Sequence, residues 1–278
     1  TTLALSILRL LPERVGEVTG GSIVYDGQEL LNLPEAEMLP LRGKRISMIF
    51  QDPMTSLNPT QTVGDQILEV LNLHFPEMTR EEKNKRVDEM MTLVGIPPQR
   101  KKSFPHEFSG GMKQRVVIAM ALVAEPELLI ADEPTTALDV TIQAQILELM
   151  KQLREKFNTS VMLITHDLGV VAQFCDSVSV VYAGRVVEYG PVEIVFQRKE
   201  NHPYTAGLFN CIPNLHDDQP RLHPIAGHMA DPRVEYKGCC FADRCEYATE
   251  RCRTEAPSMH VCGEHGILCH RYAEKEEF

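Results

Sequence analysis

Across 278 residues no apolar run approaches the roughly eighteen that a membrane-spanning helix needs, and the stretch around Val116 to Val123 is set between Arg115 and Glu125. Any membrane role therefore requires partners. The residues after Thr1 do not read as a signal peptide. Positive charge is also in deficit: the net charge of -11 disfavours a nucleic-acid binder that works by neutralising phosphates, a local basic patch apart. The segment from about 210 to 278 lacks apolar runs and is rich in proline, histidine and charge, so by itself it buries little core and should need a staple. The length remains ample for one large α/β domain with a smaller appendage.

Two segments stand out. Leu128-Leu129-Ile130-Ala131 is apolar enough for a short buried strand, and Asp132-Glu133-Pro134 follows at its carboxyl end, where open α/β sheets place ligand chemistry. One of two adjacent carboxylates can serve a magnesium ion while the other polarises a water, as nucleoside triphosphate hydrolysis requires. Upstream, Phe108-Ser109-Gly110-Gly111-Met112-Lys113-Gln114-Arg115 joins a helix N-cap residue to two glycines that let backbone amides approach an anion. Arg45 to Phe50 and Val161 to Thr165 read as further buried strands that end at Gln51 and His166. A parallel sheet brings such ends to one edge. Taken singly, each of these polar residues would be an ordinary strand terminus; their convergence is what that reading leaves unexplained.

In this order, Ser109-Gly110-Gly111, Leu128 to Asp139 and Leu163-Ile164-Thr165-His166-Asp167, the chain resembles the ATP-binding subunit of an ABC transporter. The resemblance implies an α/β P-loop NTPase core with a mixed β-sheet and a helical subdomain at about 60–125, which binds ATP and Mg2+. Glu133 would be the base, His166 would steady the γ-phosphate, and Gln51 would sense metal and γ-phosphate. Asp132 would hold magnesium through water. Ser109, Gly110, Gly111 and Met112 match the signature segment that contacts the nucleotide of an opposite subunit, and Asp139 closes the D-loop. In the family the helix read at Thr1 to Leu11 follows a glycine-rich phosphate loop, so the resemblance implies a fragment of a longer protein, inactive alone. Thr1 then takes the loop's final, magnesium-binding hydroxyl position, unless the register is offset by one residue.

The intervening segments read as follows. Gly20 to Gly27 suggests a strand and turn of a small antiparallel layer. Asp52 to Pro59 is a proline-punctuated loop in which Met54 and Leu57 either pack the loop or, as the resemblance implies, face a membrane subunit. Val63 to Leu73 and Glu81 to Val94 are amphipathic helices. Ile142, Ile146, Leu149, Met150 and Leu153 form a core stripe on a helix from Val140. Ser177 to Tyr182 and Val186 to Tyr189 form a hairpin across Ala183-Gly184-Arg185, and the nucleotide-binding domain is taken as 1–200.

In the extension, 201–278, Asn201-His202-Pro203-Tyr204-Thr205 and Gly238-Cys239-Cys240-Phe241-Ala242-Asp243-Arg244-Cys245 resemble the C-terminal region of dipeptide, oligopeptide and nickel importer ATPases. The function implied is an ATP-hydrolysing importer subunit for peptides or related small solutes. It would pair with a second ABC ATPase subunit, two transmembrane permease subunits and an external solute-binding protein, peripherally at the cytoplasmic face of the inner membrane. A soluble ABC ATPase acting on nucleic acid or the ribosome is the alternative, disfavoured by the acidic balance and by the tail. Six of the eight cysteines lie between Cys239 and Cys269. In a reducing compartment a metal is a better staple than disulfides. By the resemblance Cys239, Cys245, Cys252 and Cys269, with five, six and sixteen residues between them, would hold a 4Fe-4S cluster, with zinc as the alternative. Cys240 and Cys262 are extra to that pattern. His202 reads as packing at a helix start.

Overall fold

The computed structural model describes the chain except Glu13, Val15, Ala137, Arg198, Pro232, 213–223 and 274–278, and except the side chains of Pro53 and Met54; the reading of Met54 lies outside the described residues. The chain forms two compact units, Thr1–Leu168 and Gly169–Phe278.

The first unit opens with α1 (Thr2–Ile7). This helix stops short of the expected Leu11 because Arg9 turns to φ 52°. A two-residue hairpin follows, β1 (Val24–Tyr25) against β2 (Gln28–Glu29), turned by Asp26 and Gly27 at φ 50° and 74°, the left-handed pair such a turn demands. Then come α2 (Glu35–Leu41), β3 (Ile46–Ile49), the single turn α3 (Pro53–Ser56), α4 (Val63–His74), α5 (Arg80–Leu93), α6 (Gly110–Leu122), β4 (Leu128–Asp132), α7 (Val140–Phe157) and β5 (Ser160–Ile164). The loop expected after Asp52 is thus partly helical, because the hydroxyls of Thr55 and Ser56 both donate to the Asp52 carbonyl.

Strands β3, β4 and β5 form a parallel sheet with β4 in the middle. Continuous apolar runs suit strands covered on both faces. Ile46 and Ile130, fully buried, join Ala4, Leu8, Leu30, Met38 and Leu41 in one core cluster. The helices begin where caps dictate. Thr62 accepts from Asp65 N–H at the start of α4, Thr79 and Glu82 form a capping box on α5, and Asp139 accepts from Ile142 N–H on α7. Asn158, at φ 51°, ends α7 in the left-handed conformation that asparagine tolerates. Ile146, Leu149, Met150 and Leu153 of the expected stripe are buried.

The second unit holds α8 (Leu168–Phe174), β6 (Ser177–Tyr182), β7 (Arg185–Pro191), α9 (Val192–Phe196), α10 (Pro203–Asn210), α11 (Glu250–Thr254), β8 (Met259–Cys262) and β9 (His265–Leu268). Its sheet is antiparallel in the order β6-β7-β9-β8. The hairpin at Ala183-Gly184 was expected; β8 and β9 were not. They are four residues each, and only β9 is mostly buried. A buried polar network fastens them. Glu188 of β7 is wholly buried and accepts from Asn201 Nδ2 at 2.8 Å and from His202 N–H at 2.9 Å, while His265 Nε2 lies 2.8 Å from it. Tyr272 donates to the Asn201 carbonyl at 2.9 Å. His202 caps α10, its Nδ1 accepting from Tyr204 N–H, and burial lowers its pKa to about 4. No helix among the described residues is long and apolar enough to cross a membrane.

Glu188→Ala would leave several buried donors without an acceptor. It should lower the stability of the second unit by about 3 kcal/mol, since each orphaned buried group costs about 1–3 kcal/mol. Urea denaturation, with proteolysis reporting cleavage after residue 168 first, checks this.

Candidate functional site

The carboxyl ends of β3, β4 and β5 bring Gln51, Asp132, Glu133 and His166 together. Glu133 is the hub. His166 Nδ1 lies 3.1 Å from its Oε1, while Gln51 Nε2 donates to Oε2 at 3.0 Å and Thr136 Oγ1 donates to Oε2 at 2.9 Å. Its backbone takes φ 47°, and its N–H donates to the Ile164 carbonyl at 2.8 Å. A bulky residue in the left-handed region costs on the order of 1–3 kcal/mol, and such positions cluster at functional sites. The turn rotates the Glu133 side chain out of strand alternation and toward the neighbouring strand ends. The hydrogen bond with His166, then that from Thr136, holds the Glu133 carboxyl below the usual carboxylate range against the opposing effect of burial. His166 and Gln51 are exposed, so the cluster opens to solvent.

Asp132 behaves differently. It is 1 % exposed; Thr1 Oγ1 donates to its Oδ2 at 2.6 Å, and its buried Oδ1 makes no hydrogen bond, the Thr1 amino group lying 3.7 Å from it. A buried carboxylate oxygen without a donor is costly unless a cation completes it. Thr1 hydroxyl, Asp132 and Gln51 supply the hard oxygen donors that Mg2+ prefers, so the residues present fit that ion.

Ser109 stands at the N-cap of α6 but makes no capping hydrogen bond, and both it and Gly110 are exposed. Gly111 has a packing reason: a Cβ there would lie 2.6 Å from Ile142 Cγ2 of α7. Met112 Sδ accepts from Arg100, whose guanidinium lies over the Phe108 ring at 4.2 Å. Asp139 spends its carboxylate on the α7 cap. Among the described residues no hydrogen bond joins Ser109, Gly110, Gly111, Met112 or Asp139 to the Glu133 cluster. Sequence reasoning missed Thr136. Its only signal is a hydroxyl residue three positions after Glu133, where a turn returns the chain to it: Thr136 N–H donates to the Glu133 carbonyl.

The cysteines of the tail correct an expectation. Cys239, Cys245, Cys252 and Cys269 do line one small cavity. Among the described residues, however, no group of three or more His, Cys, Asp or Glu side chains is arranged to hold a metal ion. The 4Fe-4S cluster and its zinc alternative are therefore not supported. The thiols are placed as packing groups, and burial raises Cys239 to about 11 and shifts Cys245 and Cys269 upward as well. Cys239, Cys240 and Cys245 pack with Val180, Tyr182 and Phe241 as small apolar side chains. The staple is packing and hydrogen bonding, including Cys239 N–H to the Cys252 carbonyl at 2.8 Å and the buried Glu188 network.

Comparison with known proteins agrees with the geometry. The family profile described as "ABC transporter" matches residues 1–136, and that described as "Oligopeptide/dipeptide transporter, C-terminal region" matches 187–252. An oligopeptide transport ATP-binding protein of Haemophilus influenzae is 49% identical over 95% of this chain and 80% of its own length. In Bacillus subtilis an oligopeptide transport ATP-binding protein is 51% identical over 98% and 77% respectively, and a dipeptide transport ATP-binding protein 50% identical over 95% and 79%. Among solved structures, a dimeric ATP-binding cassette in a post-hydrolysis state with ADP and Pi matches with TM-score 0.60 and 28% identity, covering 69% of this chain and 79% of its own. Part of an ABC transporter complex from Clostridium perfringens matches with TM-score 0.61 and 30% identity, covering 72% and 75%.

Two measurements check the site. Because the folded pKa of Glu133 is lowered, its contribution to stability is present above the ordinary glutamate value and lost as pH falls through the lowered one. In carbon-detected NMR titrations Glu133 should titrate below a free glutamate, and His166→Ala should move it back toward 4.5, its ordinary value. Gly111→Ala should cost about 1–3 kcal/mol through overpacking, and Ile142→Ala in the same chain should recover part of it, read as melting temperatures.

Proposed function

The chain belongs to the ATP-binding proteins of ABC transporters, and from that premise we propose that it hydrolyses ATP to drive uptake of oligopeptides, dipeptides or related small solutes. The observation that carries the reading is the Glu133 carboxylate, fixed by Gln51, Thr136 and His166 beside the buried Asp132.

In this reading Thr1, Asp132 and Gln51 would hold Mg2+, which would supply positive charge to offset that of the phosphates. Glu133 accepts a hydrogen bond from the attacking water and orients it in line with the γ-phosphate. His166 donates to the γ-phosphate, through Nε2 where the Nδ1 bond to Glu133 is kept or through Nδ1 where that bond gives way. Gln51 links the two, its amide reaching Glu133 from the loop that leads to α3. Ser109, Gly110, Gly111 and Met112 serve the nucleotide of a second ATP-binding subunit. The exposed Ser109 side chain, which makes no capping hydrogen bond, supports this role. Asp139 holds the start of α7 at that junction. Two permease subunits and an external solute-binding protein complete the assembly, with the ATP-binding subunits at the cytoplasmic face of the membrane. The two subunits close on ATP and separate after hydrolysis.

Glu133→Gln keeps the shape of the carboxylate but not its charge. In the assembled transporter it should bind ATP normally and lower turnover by at least about 100-fold, the range of a lost general base. Phosphate release and nucleotide binding, measured on the same preparation, check both halves.

A further inference from the structure

We propose that Gln66 is a positioning residue for hydrolysis, acting through the segment that carries Gln51; this rests on the role given to Gln51 above. Gln66 lies in the first turn of α4 and is 3 % exposed. Its side-chain amide closes on the backbone of Asn58 from both sides: Oε1 accepts from Asn58 N–H at 2.9 Å, and Nε2 donates to the Asn58 carbonyl at 3.0 Å. The same Nε2 reaches the Gln61 carbonyl at 3.2 Å. Both polar groups of a loop residue are thus satisfied by one side chain, as a neighbouring strand would satisfy them in a ladder.

The loop is held on either side of that clamp. Leu57 is buried, and Asn58 Oδ1 accepts from Thr60 N–H at 3.0 Å and from Thr60 Oγ1 at 2.7 Å. Back toward the site, Asp52, the self-bonded turn α3 and the buried Leu57 separate Asn58 from Gln51, and α3 packs against α6, the helix that Ser109 begins. The connection from Gln66 to Gln51 therefore has little slack. An exposed glutamine that reaches Glu133 at 3.0 Å needs a fixed base, because a displacement of about 1 Å in such a group costs about 100-fold in rate. A buried position needed only for filling would hold an apolar residue. Here an amide occupies it, and its hydrogen bonds all go to the loop that follows Gln51 or to the turn that starts α4.

The test is a double-mutant cycle on ATP turnover by the assembled transporter in membrane vesicles, with melting temperatures measured alongside. Gln66→Leu keeps the volume and removes the clamp. It should lower kcat by about tenfold or more while the KM for ATP changes by less than about twofold. Gln51→Ala should lower kcat by itself, and adding Gln66→Leu should cause no further loss, although each substitution lowers the melting temperature to the same extent in either background. An equal loss of kcat from Gln66→Leu with Gln51 present or absent would overturn the inference, as would undiminished kcat in Gln66→Leu. If Gln51→Ala alone keeps full kcat, the role of Gln51 falls first and takes this inference with it, an outcome distinct from the other two.

Discussion

The parallel register of β3, β4 and β5 levels three strand ends at one edge. Ile49 stands beside Ala131, and Ala131 beside Leu163, so Gln51 and Glu133 each emerge two residues past a common row and His166 three past it. In β3 and β4 that row is set by burial of apolar residues on both faces, with Ile49, Ile130 and Ala131 fully covered, while β5 is half-buried. Sliding one strand by one residue would exchange its faces, so the core enforces the register far more strongly than the polar cluster does. The site inherits its geometry from packing that does no chemistry.

Two adjacent carboxylates on one strand end acquire different characters from this arrangement. Asp132 is the last residue of β4 and stays buried, with one oxygen bonded to the Thr1 hydroxyl and the other without a hydrogen bond, 3.7 Å from the Thr1 amino group. Glu133 leaves the strand by adopting φ 47°, which carries its side chain out toward the exposed Gln51 and His166. A single left-handed residue thus splits the pair into an enclosed carboxylate suited to a cation and an open one suited to water. The strain at Glu133 is held by its N–H bond to Ile164 and by the Thr136 turn.

Much of this was legible in the sequence because strand ends follow from apolar runs and the polar residues that stop them; Gln51, Glu133 and His166 stand where those runs break. Thr136 was not legible, since its role depends on a turn geometry that the types of nearby residues do not specify. In the tail, β8 and β9 escaped notice because four-residue strands such as Met259–Cys262, three of them half-buried and one exposed, show no alternation. The cysteines mislead for a related reason. Cys239, Cys245, Cys252 and Cys269 do reach one cavity, but whether side chains there are arranged as a ligand set depends on the surrounding packing, which spacing along the chain does not specify. What holds β9 to β7 is the buried Glu188 network, whose residues are scattered from β7 to β9 and so carry no local signal.

A carboxylate whose pKa lies below the ordinary range is a weak proton acceptor, which bears on what Glu133 can do as a base. Brønsted behaviour favours a base whose pKa lies near the working pH, and hydrogen bonds from His166, Thr136 and Gln51 move Glu133 the other way. Those bonds keep it ionised and aimed. In a loose phosphoryl-transfer transition state the attacking water retains its proton until late, so orientation and charge matter more than early proton removal. If His166 turns to the γ-phosphate when nucleotide enters, Glu133 loses the largest of the interactions that lower its pKa, and its basicity rises at the moment a water takes the vacated place.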